Sequence, residues 1–135
     1  ILAHKDAPGL VWRGRLTAQA LRQEFQTANL FVYPTTFQET SCRAAIRAAA
    51  CGCLPVYRPL AALEETIGAF GRAVPGNAAD VAYARAFGDA VAEAMLNPPT
   101  AEERRALSED VIRRHDPWRV WRAVVWQEAV VEVAA

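Results

Sequence analysis

Two short apolar runs, Leu30-Phe-Val-Tyr33 and Leu54-Pro-Val-Tyr57, bracket one stretch of helical character, and this alternation constrains the fold more than any other feature of the chain. The first run is continuous, aromatic and β-branched, and Pro34 stops it. That pattern predicts a strand buried on both faces. The second run carries a proline near its start, where a strand tolerates one. Between them, Thr40 or Ser41 is expected to cap a helix from about Cys42 to Ala50, ended by Gly52. Strands alternating with helices call for a parallel sheet with crossover helices, so the fold class is α/β, a Rossmann-like parallel sheet flanked by helices.

The same reading extends in both directions. Gly9-Leu-Val-Trp-Arg-Gly14 reads as a short strand bounded by glycines. Thr17 is expected to cap a helix of about Ala18 to Thr27, with Leu21 and Phe25 as its buried stripe. Leu60 to Phe70 reads as a helix ended by Gly71, and Arg72-Ala-Val74 as one more short strand. Asn77 or Asp80 begins a helix running to about Leu96, and Asn97-Pro-Pro99 breaks it. Thr100-Ala-Glu-Glu103 matches a capping box and opens a helix to about Arg114. Asp116 is expected to cap a last helix with Pro117 at its first position, carrying Trp118, Trp121, Val124 and Val125 on one side. No internal repeat is visible.

Composition narrows the class of function. At 135 residues with 53% hydrophobic content, the chain is one domain's worth and needs no staples. Disordered, collagen-like, coiled-coil and disulfide-scaffold compositions are excluded. Fifteen basic residues balance fifteen acidic ones, which argues against nucleic acid as a partner, because phosphate neutralisation asks for a basic excess. Lys5 is the only lysine among the fifteen, and alanine occurs 28 times, which reads as the bias of a GC-rich genome. Cys42, Cys51 and Cys53 form neither a disulfide framework nor a zinc set, and His4 and His115 are distant in sequence. The thiols read as packing residues in a reducing compartment, so a cytoplasmic location is expected, with no metal and no cofactor. No apolar run approaches the ~18–20 residues of a membrane span.

The loop after Tyr33 carries the chemistry. It runs Tyr33-Pro-Thr-Thr-Phe-Gln-Glu-Thr-Ser-Cys42 and leads into an alanine-rich helix. In an open parallel sheet, ligands bind outside the carboxyl ends of the strands. A helix N-terminus presents free N–H groups and a positive dipole end there. The small residues Thr40, Ser41 and Cys42 let an anion approach that backbone, and phosphate is the natural ligand. Glu39 repels phosphate and suits sugar hydroxyls instead. Together these features suit a phosphorylated, hydroxyl-rich ligand such as a nucleotide sugar. An ordinary capped helix beside an exposed glutamate accounts for the same residues.

Residues Pro34 to Val56 resemble the donor-binding core of the large retaining glycosyltransferase family called group 1 or family 4, which has the glycosyltransferase-B fold. The family motif is Glu, seven residues, Glu, a small-residue helix end, glycine and a Pro-Val strand. Here Glu39-Thr-Ser-Cys-Arg-Ala-Ala-Ile-Arg47 occupies the motif, and Ala48-Ala-Ala-Cys-Gly-Cys-Leu-Pro-Val56 follows. Pro8 to Gly14, Thr27 to Pro34 and Asp116-Pro-Trp118 are similar to the family's flanking segments. The stretch from 27 to 56 is the specific part.

The resemblance implies that Glu39 touches the donor sugar and that the backbone of Thr40, Ser41 and Cys42 faces the sugar and diphosphate. It places Gly14 and Arg15 near the nucleotide base. The second motif glutamate, which clamps the ribose hydroxyls, falls on Arg47. Arginine has only donors and cannot accept from a ribose diol. Losing such a charged hydrogen bond costs roughly 1.5–3 kcal/mol. Arg47 is left with three readings: a contact to phosphate or to Glu39, the loss of normal donor binding, or a solvated basic face shared with Arg43. The resemblance further implies sugar transfer from a nucleotide sugar to a hydroxyl acceptor with retained configuration and no metal. Residues 1–135 would be the later part of a C-terminal donor domain, with the last helix from about 117 packing back towards a missing N-terminal domain. A non-catalytic Rossmann-like binding or interaction module is the alternative. Glu64 and Glu65 read as helix-surface charges.

Overall fold

A computed structural model of the chain describes residues 7–116. Its elements in order are α1 (Ala18–Thr27), β1 (Leu30–Tyr33), α2 (Arg43–Ala50), β2 (Leu54–Tyr57), α3 (Leu63–Ile67) continued by a 3-10 turn (Gly68–Phe70), β3 (Arg72–Ala73), α4 (Val81–Leu96) and α5 (Ala101–Arg114). The three strands form a parallel sheet in the order β1-β2-β3, with Leu30 opposite Leu54 and Val56 opposite Arg72. Each strand pair is joined by a helical crossover, as parallel strands require. The expectation of an α/β sheet flanked by helices therefore holds.

Side-chain alternation along the strands assigns the two faces. Leu30, Val56 and Val74 pack with Tyr83, Phe87, Ala90 and Ala94 of α4. On the other face Phe31, Tyr33 and Tyr57 pack with Cys42, Ala45, Leu63 and Ile67. Helix α2 sits close because Ala45, Ala48 and Ala49, at i, i+3 and i+4, are fully buried and add no bulk. Pro55 lies in the central strand. Leu54 N–H donates to Asn29 and Arg58 N–H to Tyr33, both towards β1, whereas the Tyr57 carbonyl accepts from Val74 on the β3 side. Pro55 shares the orientation of Tyr57 and lies before β3 begins, so no ladder bond is lost.

Helix ends follow local chemistry. Thr17 caps α1, its hydroxyl accepting from Ala20 N–H, and Thr100 with Glu103 forms the full capping box on α5. Gly52 ends α2 in the left-handed region at φ 83°, with Gly52 N–H donating to Ala49 and Cys53 N–H to Ala48. That is a Schellman arrangement. Arg104 of α5 then ties this end down. It donates from Nε to the Gly52 carbonyl (3.1 Å), from Nη1 to Asn29 Oδ1 (2.8 Å) and from Nη2 to the Ala28 carbonyl (3.0 Å).

Four expectations need correction. Residues 9–14 form no strand. Leu10, Val11 and Trp12 run exposed over the surface, because an apolar run becomes a strand only where a neighbour's ladder accepts it. Leu21 and Phe25 are half-buried rather than buried. Strand β1 is not covered on both faces: it is the sheet's edge, and Val32 is 43% exposed. The helix expected over 60–70 begins at Leu63, since Leu60 and Pro59 lie in the turn before it and Ala61 adopts φ 52°. The helix expected from Pro117, with its tryptophans, lies outside the described residues.

Candidate functional site

The carboxyl edge of the sheet is where β1 and β2 release the loops 34–42 and 58–62. The Tyr33 hydroxyl, at the end of β1, donates to Glu39 Oε1 at 2.6 Å. The Tyr33 ring is held in turn by stacking on Phe31, with centroids 5.6 Å apart. The Glu39 carbonyl accepts from Ala62 N–H at 3.2 Å, so the two loops are joined at this residue. The bonded Glu39 carboxylate and burial both hold the Tyr33 phenol above its ordinary pKa, the first contributing more. A carboxylate offers about four acceptor positions. With one taken by Tyr33, Glu39 keeps capacity for two or more ligand hydroxyls.

The N-terminus of α2 lies beside this carboxylate in sequence, but its cap differs from expectation. Cys42, not Thr40 or Ser41, is the N-cap, and no side chain makes a capping hydrogen bond. The Ser41 carbonyl accepts from Arg43 N–H, and the first helical bond runs from Ile46 N–H to the Cys42 carbonyl. The physical cause is burial: the Cys42 thiol packs with Ala45, Tyr57, Leu63 and Ile67, which fixes where the helix starts. Burial pushes the Cys42 thiol pKa up, partly offset by the N–H groups of Ala45 and Ala44. Thr40 and Ser41 are exposed and stand in the loop that an incoming ligand meets.

The remaining site candidates are not gathered at this edge. Arg47 lies one turn into α2, on the side roughly opposite Ala45, Ala48 and Ala49, and therefore turned away from the sheet. No ion pair joins it to Glu39 among the described residues. It lines a cavity with residues of α1 and α5 instead. Gly14 adopts φ 62° and both Gly14 and Arg15 are exposed, and no hydrogen bond ties either to the loop 34–42. Glu64 and Glu65 are exposed in the first turn of α3, as surface charges there should be. Cys42 and Cys53 are buried, Cys51 is half-buried, and all three are free.

Arg58, the first residue after β2, was not singled out by sequence reasoning. Its Nε donates to the Gly76 carbonyl at 2.8 Å and its Nη1 to the Thr35 carbonyl at 3.4 Å. Its guanidinium also lies over the Tyr83 ring, 5.8 Å from the centroid. One side chain thus holds the loops after β1 and β3 together at the carboxyl edge. The available signal was positional: a charged residue directly after a strand and before a proline.

Among the described residues there is no group of three or more His, Cys, Asp or Glu side chains able to hold a metal ion. No described helix is long and apolar enough to cross a membrane. Comparisons of the chain with protein-family models, with curated proteins and with solved structures find no match.

Proposed function

We propose that this chain is the donor-binding region of a retaining glycosyltransferase of the glycosyltransferase-B type, acting as part of a longer protein. The observation that carries the reading is the Glu39 carboxylate, oriented by Tyr33 at the carboxyl edge of a parallel sheet. Its position, directly before the α2 N-terminus, agrees with the motif resemblance over residues 34–56. In this reading Glu39 accepts hydrogen bonds from donor-sugar hydroxyls. The backbone of the exposed residues Thr40 and Ser41 and the positive end of α2 face the diphosphate in this reading, stabilising the charge that develops as it leaves. The diphosphate-holding basic residues and the acceptor site would belong to parts of the protein outside these 135 residues. The chain alone then binds a donor without turning it over.

The test is calorimetric titration of the chain with a panel of nucleoside-diphosphate sugars, beside Glu39→Gln. Binding of at least one donor, weakened about tenfold or more in the variant, supports the reading, since a charge-assisted acceptor is worth roughly 1.5–3 kcal/mol. Turnover by the isolated chain contradicts the division of labour proposed here.

The second reading, a non-catalytic Rossmann-like binding or interaction module, is favoured by Arg47. An arginine turned away from the sheet cannot stand in for a ribose-clamping carboxylate. Absence of binding to every donor in the panel supports this reading.

A further inference from the structure

Helices α1 and α5 both pack against α2 and leave a trough between them over the side of α2 that faces away from the sheet. Two cavities occupy it end to end, of about 400 Å³ and 530 Å³, and they share Arg22, Ala50 and Cys51. One end is closed where Arg104 reaches across to the Ala28 carbonyl. The other end is bounded by Ala18 and Ile112. The walls run for about the length of the ten-residue α1, or roughly 15 Å.

The lining has two chemistries. The apolar part is Leu21 and Phe25 of α1, only half-buried, and Ile112 of α5, 58% exposed. These are the residues a helix would normally cover, and no helix among the described residues lies over the stripe on α1. The charged part is Arg22, Arg47 and Arg105, set along the trough from one cavity to the other. None of the three has an ion-pair partner among the described residues, whereas Arg13, Arg72, Arg113 and Arg114 elsewhere do. Among the described residues Glu109 is the one acidic side chain in the lining.

We propose that this trough is a docking groove for an acidic amphipathic helix of a partner protein. Its length matches about ten residues of helix, enough for anchors at i, i+4 and i+7. Those anchors would settle on Leu21, Phe25 and Ile112. Carboxylates flanking them would meet the three unpaired guanidiniums, which suit planar acceptors. The charge pattern selects the sign of the partner, because a basic helix would place like charges against Arg22, Arg47 and Arg105. The proposal is independent of any nucleotide-sugar site at the sheet edge, and it gives Arg47 a role there that the glutamate motif does not.

The test is fluorescence anisotropy of the full 135-residue chain with labelled synthetic peptides of about 14 residues. One carries leucines at helical spacing flanked by glutamates, and the other carries lysines in place of the glutamates. The glutamate peptide is expected to bind at least about tenfold tighter than the lysine peptide, with the margin shrinking at high salt. The double variant Arg22→Glu/Arg105→Glu should reverse that preference, and Ile112→Asp should weaken both peptides. All three positions are exposed, and circular dichroism checks that each variant is folded. Binding of neither peptide, equal binding of both, or an unchanged preference in the double variant overturns the proposal. Binding of dodecanoate but of neither peptide also overturns it and makes the trough a site for small anionic amphiphiles.

Discussion

The Tyr33 hydroxyl and the Glu39 carboxylate are 2.6 Å apart, so the last residue of β1 fixes the acceptor group of the loop that follows it. Replacing Glu39 by glutamine removes the charge that disfavours tyrosinate at Tyr33, and the phenol should then titrate at lower pH than in the parent chain. Tyr57 and Tyr83 also titrate high, chiefly through burial, so the Tyr33 signal is obtained by subtracting a Tyr33→Phe spectrum. An unchanged ultraviolet titration of Tyr33 in Glu39→Gln would show that the two groups are not bonded in solution. Tyr33→Phe should cost about 1 kcal/mol of stability in urea melts, because the freed carboxylate is only half-buried and water can replace the phenol.

What the sequence made legible was whatever local chemistry decides. Thr17, the Thr100–Glu103 box and Gly52 fix helix ends through their own side chain or backbone freedom, and each stands where the pattern put it. Leu30–Tyr33 and Leu54–Tyr57 are strands because each apolar run finds the other. Non-local competition was not legible. The run Leu10–Trp12 has strand chemistry and no ladder to join, and Cys42 displaces Ser41 as cap because a distant cluster around Tyr57 buries its thiol. The site followed the same division. Glu39 lies at the sheet edge that topology dictates. The cavity beside Arg47 depends on where α1 and α5 pack, and Arg58 becomes notable only once Thr35 and Gly76 are brought beside it.

Arg104 spans 52 to 78 residues of sequence in its hydrogen bonds, linking α5 to the carbonyl-bearing ends of α1 and α2. Cations are favoured at helix C-termini, and the forked guanidinium meets four acceptors at once, Gly52, Asn29, Gln26 and Ala28. Arg104→Ala should therefore destabilise the chain by about 2–3 kcal/mol, less than the sum of its bonds because water reaches part of the site. Arg104→Lys should recover only a small part, since a point charge cannot satisfy four separated acceptors. Urea denaturation of the three proteins decides this. A lysine variant as stable as the parent would mean that charge alone matters there.

Tyr83 is 7% exposed, and its hydroxyl is buried with no hydrogen-bond partner among the described residues. Its ring carries the packing: it meets Phe87 at 5.8 Å and underlies Arg58. Tyr83→Phe keeps the ring and removes the unsatisfied group, so it should leave stability unchanged or raise it by up to about 1–2 kcal/mol. Tyr83→Leu should lower it by a similar amount through lost ring contacts. A phenylalanine variant less stable than the parent by more than about 0.5 kcal/mol contradicts the placement of that hydroxyl.

Cys53 supplies the pH dependence with the clearest sign. Its thiol is fully buried and lies 3.0 Å from the Phe25 carbonyl, where it donates. Burial, with a smaller contribution from Cys51, pushes its pKa up from 9.0 to about 11, against a lowering influence from Arg104. Between those two values the unfolded chain has released this proton and the folded chain still holds it. Stability from this group is thus complete below about pH 9 and is lost as pH rises through about 11. The loss is on the order of 2–3 kcal/mol. The three tyrosines with raised pKa values add their own alkaline losses, so the informative quantity is the stability gap between the parent and Cys53→Ala. Alanine has no proton to lose, so that gap should narrow steadily from pH 9 upwards, by on the order of 2 kcal/mol at pH 11. A gap that stays constant across this range would mean that the thiol titrates alike in the folded and unfolded chain, and that Cys53 is not buried as described. Arg104→Ala should leave the onset near pH 9 and extend the narrowing to higher pH, because the guanidinium that favours the thiolate in the folded chain is gone.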